Sequence, residues 1–525
     1  MRISAIASNG ASRPRVGEAG PSMRMFAGHK QLPALLLIAV ACLLGCFGTT
    51  AEAAPPKPNI VLVRTDDQSL ATFTERYMPQ TLHLFEKRGT FFSNSIVSDP
   101  QCCPSRAAAM TGQYSHNNGV VANHPGYSSL RDKRNVLPTW LRRAGYRTIH
   151  VGKFLNGWEA HGLQSAPGWD RWLNLQVQLY LRPLFVIDGH GQQFQEYLGD
   201  VTARMTQALI RRYAPKRKPF FLALDEYAPH VSPPEGKGSR CAGAAIPDPD
   251  EPGLFASEKA PHTAAWDEAD VSDKPEYIRR LPRIGAGSEA EIDRKFGCAA
   301  ASLHDVDRNF AEMVALLREA GELDNTMIVF TSDNGYAFGE HRMPFGKGLP
   351  YEEHLRVPLA VMPPASFPRS ARTGGTVEAA VSNVDMAPTF LDLAGAEPCA
   401  RRGKCRRMDG RSYLPLLEGR RPGWSRGRAI QTSFDIGASN YKLSCVWDGL
   451  WRPDESVIEH RSLPVGTARR CSPAHYWEAY DTAADPGQLD AQAATAAQKH
   501  ELERLRRCSG IAGRDKRIAG VPFCE

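Results

Sequence analysis

The pattern of apolar residues along the chain predicts at least four buried β-strands. Residues 59–63 (NIVLV) form a continuous apolar run, as expected for a strand that is covered on both faces. Three further strands are predicted at 147–151 (RTIHV), 219–224 (PFFLAL) and 326–332 (TMIVFTS). Polar residues follow each of these runs directly. The pattern therefore predicts an α/β fold with chemistry at the ends of its strands.

Helical and irregular segments separate the predicted strands. Residues 289–321 carry apolar side chains at helical spacing and end at a glycine, which predicts one long helix. Residues 232–287 are rich in proline, glycine and charge, which is typical of a long loop region. The periodic pattern is interrupted again near 396–410. We find no internal repeat.

The amino terminus has the features of an export signal. Arg24, His29 and Lys30 precede a short apolar run, and small residues at 51–53 offer a cleavage site before Ala54. The run is shorter than the about 20 residues of a membrane-spanning helix, so no stable membrane span is expected. We expect an exported protein, periplasmic or secreted. Lipid attachment at Cys46 and translation starts at Met23 or Met25 remain open alternatives.

Composition bounds the domain organisation and the class of partner. A chain of 525 residues with 42% hydrophobic residues is long enough for two or more domains. We predict a leader with its upstream extension over 1–53, a catalytic domain over 54–398 and a smaller domain over 399–525. The formal net charge of +7 permits an anionic substrate but lacks the dense basic character of a nucleic-acid binder.

Cysteine usage is typical of an oxidising compartment. Apart from Cys102, Cys103 and the two cysteines of the leader, eight cysteines remain, and as sequential neighbours they pair as 241–298, 399–405, 445–471 and 508–524. Spacing alone leaves this connectivity open, and free buried thiols are the alternative. No Asn-x-Ser/Thr acceptor occurs, which favours a bacterial export route over a glycosylating one.

The residues that follow the four predicted strands form a candidate metal site. Carboxyl ends of parallel strands meet at one sheet edge, so side chains from different strands gather there. The hard oxygen donors suit Ca²⁺ or Mg²⁺ and do not suit a zinc site of thiolate and imidazole. These donors are Asp66, Asp67, Asp333 and Asn334, and Lys153, His230 and Lys347 add positive charge and proton-transfer capacity.

The segment QCCPSRAAAMTGQ, residues 101–113, places two cysteines at the start of a predicted helix. Pro104 suits a first helical turn, and the alanines at 107–109 continue it. The amino-terminal end of a helix attracts anions, and Arg106 lies one turn after Cys102. Together with the oxygen donors, this segment predicts a metal-assisted site for a small tetrahedral oxyanion ester.

The same segment resembles the signature of the sulfatase family, Cys-x-Pro-Ser-Arg followed by Thr-Gly. The matching residues here are Cys102, Pro104, Ser105, Arg106, Thr111 and Gly112. The resemblance implies that a formylglycine-generating enzyme converts Cys102 to formylglycine, with Cys103 at the variable position. It also implies an alkaline-phosphatase-like fold, with a large, mixed, mostly parallel sheet flanked by helices and a smaller C-terminal α+β subdomain.

The resemblance implies a role for each candidate residue. The metal, Ca²⁺ with Mg²⁺ as the alternative, would be ligated by Asp66, Asp67, Asp333, Asn334 and the modified Cys102. Arg106 would stabilise the aldehyde hydrate, Lys153 and Lys347 would bind sulfate oxygens, and His230 would assist proton transfer to the leaving alcohol. One hydroxyl of the hydrate attacks sulfur and the alcohol leaves. The other hydroxyl then loses its proton, so that sulfate departs and the aldehyde re-forms.

One segment points to a branch of the family. Many members carry histidine where this chain has Leu155, and the segment GKFLNG with Asn156 resembles the branch that acts on glucosamine 6-sulfate. This implies a sulfated carbohydrate substrate with a 6-O-sulfate on (N-acetyl)glucosamine. Trp169 and Trp172 are interpreted either as a sugar-stacking pair or as core residues. The basic residues at 401–407 are interpreted either as a polyanion contact or as a solvated loop.

Three other functions remain open. An arylsulfatase, or a sulfatase for another sugar position, would use the same residues. A phosphatase or phosphodiesterase of the same fold would use threonine or serine as the nucleophile, usually with zinc. A glycan-binding protein without turnover would bind the sulfated sugar and release it unchanged.

Overall fold

A ten-stranded mixed sheet forms the centre of the fold in the computed structural model. The structure describes residues 57–233, 235–236, 238–420, 424, 427–435, 443–462, 469–470, 476–509, 517–518 and 521–522. The strands up to residue 382 are β1 (Asn59–Thr65), β2 (Thr90–Phe92), β3 (Ser95–Ile96), β4 (Arg147–Gly152), β5 (Arg171–Val177), β6 (Leu184–Ile187), β7 (His190–Gln193), β8 (Phe220–Asp225), β9 (Thr326–Ser332), β10 (Leu359–Met362), β11 (Gly375–Val377) and β12 (Val381–Ser382).

The order of strands in this sheet is β11-β2-β10-β9-β1-β8-β4-β5-β6-β7, and β3 pairs separately with β12. The five central strands, from β9 to β5, run parallel to one another. All four strands that the sequence predicts are among them, at the predicted positions to within two residues. The structure therefore confirms the predicted α/β fold with its mostly parallel sheet.

Helices cover both faces of the central strands. They are α1 (Pro79–Arg88), α2 (Cys102–Thr111), α3 (Ser115–Asn118), α4 (Leu137–Arg143), α5 (Leu198–Tyr213), α6 (Glu276–Arg279), α7 (Ala286–Glu319), α8 (Glu352–Leu355), α9 (Met386–Ala394), α10 (Leu414–Leu417) and α11 (Ala496–Ser509). Short 3₁₀ turns lie at Leu70–Thr72, Gly126–Ser129, Trp158–His161, Leu323–Asn325, Arg369–Arg372 and Asn383–Asp385. The predicted long helix at 289–321 is α7, which begins three residues earlier and ends two residues earlier.

Side chains along β1 point alternately to the two faces of the sheet, which explains why the sheet needs a helical layer on each face. Val61 and Val63 lie in one core with side chains of α5 and α7. Ile60 and Leu62 lie in a second core with side chains of α2, α4 and α9. Neighbouring side chains of a strand point to opposite faces, so a run that is apolar at every position is stable only when both faces are covered.

Trp169 and Trp172 belong to the second core. Trp172 has no exposed surface and Trp169 is 8% exposed. Their rings pack against each other and against His150. The interpretation of these residues as a sugar-stacking pair is therefore wrong, because buried rings cannot contact a sugar.

A second, antiparallel sheet follows the first in the chain. Its main path is β15 (Arg428–Asp435), β16 (Leu443–Arg452), β17 (Glu455–Ser462) and β19 (Tyr476–Tyr480), and β18 (Arg469–Arg470) pairs with β16. The small pairs β13 (Cys399–Arg401) with β14 (Lys404–Cys405) and β20 (Arg517–Ile518) with β21 (Val521–Pro522) complete the described strands. Helix α11 packs against this sheet through Leu502 and Leu505. This is the smaller C-terminal β-rich subdomain; its predicted start at residue 399 stays a prediction.

Two of the four predicted disulfides are present among the described residues. Cys241 is bonded to Cys298, and Cys399 is bonded to Cys405. The first bond ties the predicted loop region, residues 232–287, to α7, and the structure adds the short helix α6 within that region. Cys102 and Cys103 are free, as the sequence analysis requires. The other predicted pairs, 445–471 and 508–524, fall on residues or side chains that lie outside the described part of the chain.

The predicted leader, residues 1–53, also lies outside the described residues. Within the part of the chain that the structure describes, no helix is both long enough and apolar enough to cross a membrane.

Candidate active site

Main-chain hydrogen bonds fix the two pairs of oxygen donors against each other. The register of β1 and β9 places Thr65 opposite Ser332, so Asp66 and Asp67 leave the sheet beside Asp333 and Asn334. The Asp333 N–H donates to the Thr65 carbonyl over 3.1 Å. The Asp67 N–H donates to the Asp333 carboxylate, also over 3.1 Å. The parallel pairing therefore brings these four candidate ligands together at one edge of the sheet.

The backbone of Asp67 turns sharply as it leaves β1. Its φ of 68° lies in the left-handed region, which costs a residue other than glycine about 1 kcal/mol. The turn leaves the carboxylate close to the amide of Asn334, which donates over 2.7 Å, and to the amino group of Lys347. We infer that these contacts hold the strained turn in place.

Cys102 is the first residue of α2, and its side chain points into this cluster. Its Sγ lies 3.3 Å from Asp66 Oδ1 and accepts a hydrogen bond from Lys347 Nζ at 2.8 Å. Lys153 Nζ lies 3.6 Å from the same sulfur. The residue is 1% exposed. Its thiol is thus surrounded by the charged residues that the sequence analysis grouped with it.

Cys103 points away from the cluster. Its Sγ accepts a hydrogen bond from the Asn156 N–H at 2.9 Å, and the side chain belongs to the second core. Burial raises the pKa of its thiol to about 12, although the Asn156 N–H and nearby cations partly oppose this. The two adjacent cysteines are therefore in different environments, because successive helical residues project about 100° apart.

Arg106 connects the helix to three strand ends. Its Nε donates to Asp333 Oδ2 at 2.7 Å, and its Nη1 donates to the Lys153 carbonyl at 2.8 Å. Its Nη2 lies 3.4 Å from Asp66 Oδ2. Burial lowers the pKa of Arg106, but the carboxylates of Asp333, Asp66 and Asp225 outweigh that effect and raise it above its usual value.

Asp225, at the end of β8, is a site residue that the sequence analysis did not single out. Its Oδ1 accepts hydrogen bonds from Arg64 Nε at 2.7 Å and Arg106 Nη1 at 3.4 Å. Its carbonyl accepts from the Lys153 N–H at 2.8 Å. A carboxylate at the end of a predicted strand was a usable signal, but the arginines that it contacts lie far away in the sequence.

His230 and Lys347 are the partly exposed members of the cluster, with side chains 22% and 16% exposed. His230 Nδ1 lies 2.7 Å from the Val231 carbonyl, which can only accept, so this nitrogen carries the proton in the neutral ring. His230 Nε2 then faces Asp67 Oδ2 at 3.6 Å. Burial, together with Lys153, lowers the pKa of His230 to about 4.

Mutual neutralisation determines the charge states in the cluster. Burial raises the pKa of Asp66, but Lys153, His230, Arg106 and Lys347 outweigh it and hold the pKa well below its usual value. The pKa values of Lys153 and Lys347 are raised, because nearby carboxylates outweigh their burial. Burial and the Asp66 charge raise the pKa of the Cys102 thiol well above its usual value. The unmodified thiol is therefore a poor nucleophile.

Two unsatisfied oxygen atoms indicate that the cluster suits a hard cation. The Asn334 Oδ1 is buried and accepts no hydrogen bond within the described structure, and Asp66 Oδ2 is in ion pairs but accepts no well-aligned hydrogen bond. Ligand atoms of Asp66, Asp67, Cys102 and His230 lie within 4.8 Å of one another. Both carboxylate oxygens of Asp333, in contrast, already accept hydrogen bonds. The carboxylate and amide oxygens of Asp66, Asp67 and Asn334 fit Ca²⁺ or Mg²⁺.

Leu155 is 1% exposed and lies in the second core. It occupies the position at which the sequence analysis expects histidine in many family members. The main chain of Asn156 contacts Cys103 and Tyr127. A role of Asn156 in place of the missing histidine stays a prediction.

The family model described as Sulfatase matches residues 58–396. An extracellular sulfatase homolog of Drosophila melanogaster is 32% identical over 73% of this chain, and an N-acetylglucosamine-6-sulfatase of Capra hircus is 30% identical over 90% of it. The chain spans 33% of the length of the first relative and 88% of the second.

A solved structure supports the fold independently. It shows a protein in complex with its substrate D-glucosamine-2-N,6-O-disulfate, and it is 24% identical to this chain with a TM-score of 0.66. The match covers 86% of this chain and 97% of the other. The two proteins therefore share the alkaline-phosphatase-like fold.

The contacts of Asp225 generate a first prediction. Asp225→Asn leaves two buried arginines without their full carboxylate partner, so we expect it to lower the free energy of unfolding by about 3–5 kcal/mol. Glu196→Gln is the matched control, because it removes a carboxylate from an exposed ion pair with Arg204, and it should cost less than about 1 kcal/mol. Chemical denaturation of both variants measures the difference. Equal effects would show that the Asp225 contacts do not stabilise the site.

Proposed function

The chain belongs to the sulfatase family, and we propose that it hydrolyses the 6-O-sulfate ester of a glucosamine unit in a sulfated glycan. The observation that carries the proposal is the environment of Cys102 Sγ, with Lys347 at 2.8 Å, Lys153 at 3.6 Å and Asp66 at 3.3 Å. Two lysine amino groups close to one reacting position suit the binding of a sulfate group. Cys102 is also the residue that occupies the modified position of the family signature.

The modified residue and the cation define the chemistry of the proposal. Formylglycine formed from Cys102 would supply, as its hydrate, the hydroxyl that attacks sulfur, and a Ca²⁺ or Mg²⁺ ion held by Asp66, Asp67, Asp333 and Asn334 would supply positive charge beside the sulfate oxygens. The maturation requires a formylglycine-generating enzyme as a partner. It also fits export, to the periplasm or out of the cell.

Arg106 and the two lysines orient the reacting groups in this proposal. Arg106 is held by three carboxylates, so its guanidinium cannot swing away from residue 102. Lys153 is fixed by its main-chain hydrogen bond to Asp225 and by the face of Tyr227, 5.4 Å from its amino group. Fixed cations stabilise developing negative charge without having to reorganise during the reaction.

His230 is the proton carrier in this proposal. Its Nδ1 proton is committed to the Val231 carbonyl, so the lone pair of Nε2 faces the cluster. Nε2 can accept a proton and pass it to the oxygen of the leaving alcohol. The ring is partly exposed, which would allow the leaving alcohol to reach it.

The substrate choice rests on similarity to relatives. The goat relative is named for N-acetylglucosamine 6-sulfate, and the ligand of the solved neighbour carries a 6-O-sulfate on glucosamine. The segment GKFLNG supports the same branch. A primary sulfate ester on a flexible arm can also reach a buried cluster more easily than a sulfate attached directly to the ring.

The substrate proposal predicts selectivity for position and for sulfur. We expect the matured enzyme to hydrolyse glucosamine 6-sulfate with a kcat/KM about 100-fold above that for glucosamine 3-sulfate, an aryl sulfate or glucosamine 6-phosphate. Initial-rate assays of released sulfate or phosphate measure this. Efficient cleavage of another sulfate with none of the 6-sulfate would overturn the substrate choice. Preference for the phosphate ester would overturn the sulfatase activity itself.

The different environments of the two cysteines predict different effects of substitution. Cys102→Ala should abolish turnover, because no nucleophile can form, whereas Cys103→Ala should retain most of it and serves as the matched control. Peptide mass spectrometry should find an aldehyde at residue 102 and an intact thiol at 103. A uniformly intact thiol at 102 in active protein would contradict the proposal.

The unsatisfied oxygen atoms predict a stabilising cation. We expect about one Ca²⁺ or Mg²⁺ per chain by elemental analysis, and a saturating cation should stabilise the fold by about 2.7 kcal/mol at 100 times its Kd. Chelation should therefore lower the Tm of the wild type. It should have a smaller effect on Asn334→Ala, and a full effect on the exposed control Glu196→Gln. Stoichiometric zinc without calcium or magnesium would contradict this assignment.

A further inference from the structure

We propose that exposed cations around the β13–β14 hairpin form a second binding surface, which holds a sulfated polysaccharide chain outside the candidate active site. This basic surface consists of Arg134, Arg142, Arg143, Arg401, Arg402 and Lys404, all of which are exposed. The proposal relies on the proposed function only for the choice of polymer.

Two distant segments of the chain are joined to build the basic surface. The Ala400 N–H donates to the Asn135 side chain over 3.0 Å, and the Arg143 guanidinium donates to the Ala400 carbonyl over 2.9 Å. The disulfide between Cys399 and Cys405 closes the hairpin. The cations of the hairpin are thus held beside those of α4.

Arg406 fastens the two segments together from inside. It is 7% exposed, and it donates to the carbonyl of Asn135 over 2.7 Å and to that of Arg131 over 2.6 Å. Of the basic residues at 401–407, Arg406 is therefore structural and unavailable to a polyanion. The side chains of Arg401, Arg402 and Lys404 are exposed and do not connect the two segments.

The charge of the basic surface is largely uncompensated. Arg142 pairs with Asp170 at 2.8 Å. Within the described part of the chain, no ion pair neutralises the other five members. Cations at the end of a helix, such as Arg142 and Arg143, have a structural explanation in the helix dipole. The three cations of the hairpin have no such explanation, and placing them together costs repulsion that an anionic partner would relieve.

An open cavity gives this surface a place for an anionic group. Arg134, Arg142 and Arg143 line it together with Thr139 and Ser165. Among the described residues, no aromatic side chain lines the cavity, whereas single-stranded nucleic acids are bound by stacking their bases on aromatic rings. Guanidinium and hydroxyl groups suit sulfate and sugar hydroxyls. The lining therefore favours a sulfated polysaccharide over a nucleic acid.

The basic surface lies away from the reacting residues. Arg406 contacts the side chain of Gln113, just beyond the end of α2, whereas Cys102 is at the start of that helix. A helix of 10 residues is about 15 Å long. Substitutions on the hairpin therefore leave the candidate active site intact. A polymer bound there would keep its sulfated units near the enzyme and raise their effective concentration.

A triple substitution tests the proposal against a matched control. Arg401→Ser, Arg402→Ser and Lys404→Ser together remove three charges from the hairpin. The control, Lys216→Ser, Arg217→Ser and Lys218→Ser, removes three exposed charges elsewhere and changes the net charge equally. We expect the hairpin variant to elute from immobilised heparin at clearly lower salt than the wild type, with the control close to the wild type, because each lost contact reduces counterion release.

Kinetics on matured enzyme give a second readout. The hairpin variant should raise KM about tenfold for heparan sulfate and leave kcat/KM for glucosamine 6-sulfate unchanged. If the triple variant does not fold, Arg134→Ser with Arg402→Ser takes its place.

Three outcomes would overturn the inference: equal loss of heparin binding in the control, an unchanged KM for the polymer, or displacement by single-stranded DNA as effective as by heparan sulfate. If the matured wild type hydrolyses no sulfated sugar, the proposed function is refuted instead. Elution from immobilised heparin would still decide the role of the basic surface.

Discussion

Charge neutralisation at the edge of the central sheet is the constraint on which the rest of the site depends. Four carboxylates and three cations are buried there, a fourth cation is partly exposed, and ion pairs connect them. A buried charge without a partner is strongly destabilising, so each of these groups offsets the cost of burying its oppositely charged neighbours. The members are Asp66, Asp67, Asp225 and Asp333 with Arg64, Arg106, Lys153 and Lys347. The positive charge that would bind sulfate is thus held in place by the same contacts that stabilise the fold.

The parallel sheet is what makes this cluster possible. Each central strand delivers its following residues to the same edge, and α2 presents its first residue to them. An apolar layer on each face then excludes water from behind the cluster. Exclusion of water strengthens every electrostatic interaction within it. The fold therefore sets both the position and the strength of the site's electrostatic field.

Sequence reasoning reached the strands and the reacting residues, because both have local signatures. An apolar run indicates a buried strand, and Cys102 and Arg106 lie within one short motif. It missed Asp225 and its partner Arg64, because their pairing depends on the register between β1 and β8 rather than on any local pattern. It also left Trp169 and Trp172 ambiguous, since an aromatic residue has the same local signature in a core as at a binding surface. The structural role of Arg406 could not be predicted either, because its hydrogen-bond partners lie more than 250 residues away in the sequence.

The burial of Cys102 has a consequence for the order of events in the cell. With 1% of its surface exposed, the thiol cannot enter the active site of another enzyme once α2 has docked against the sheet. If Cys102 is modified as proposed, the maturation enzyme must therefore act while this segment is still unfolded. Modification of Cys102 and folding around α2 then compete, and the ratio of their rates sets the fraction of functional molecules. A chain that folds too fast would be trapped as a stable but inert protein, so slow closure around α2 would be an advantage that a stability measurement would not reveal.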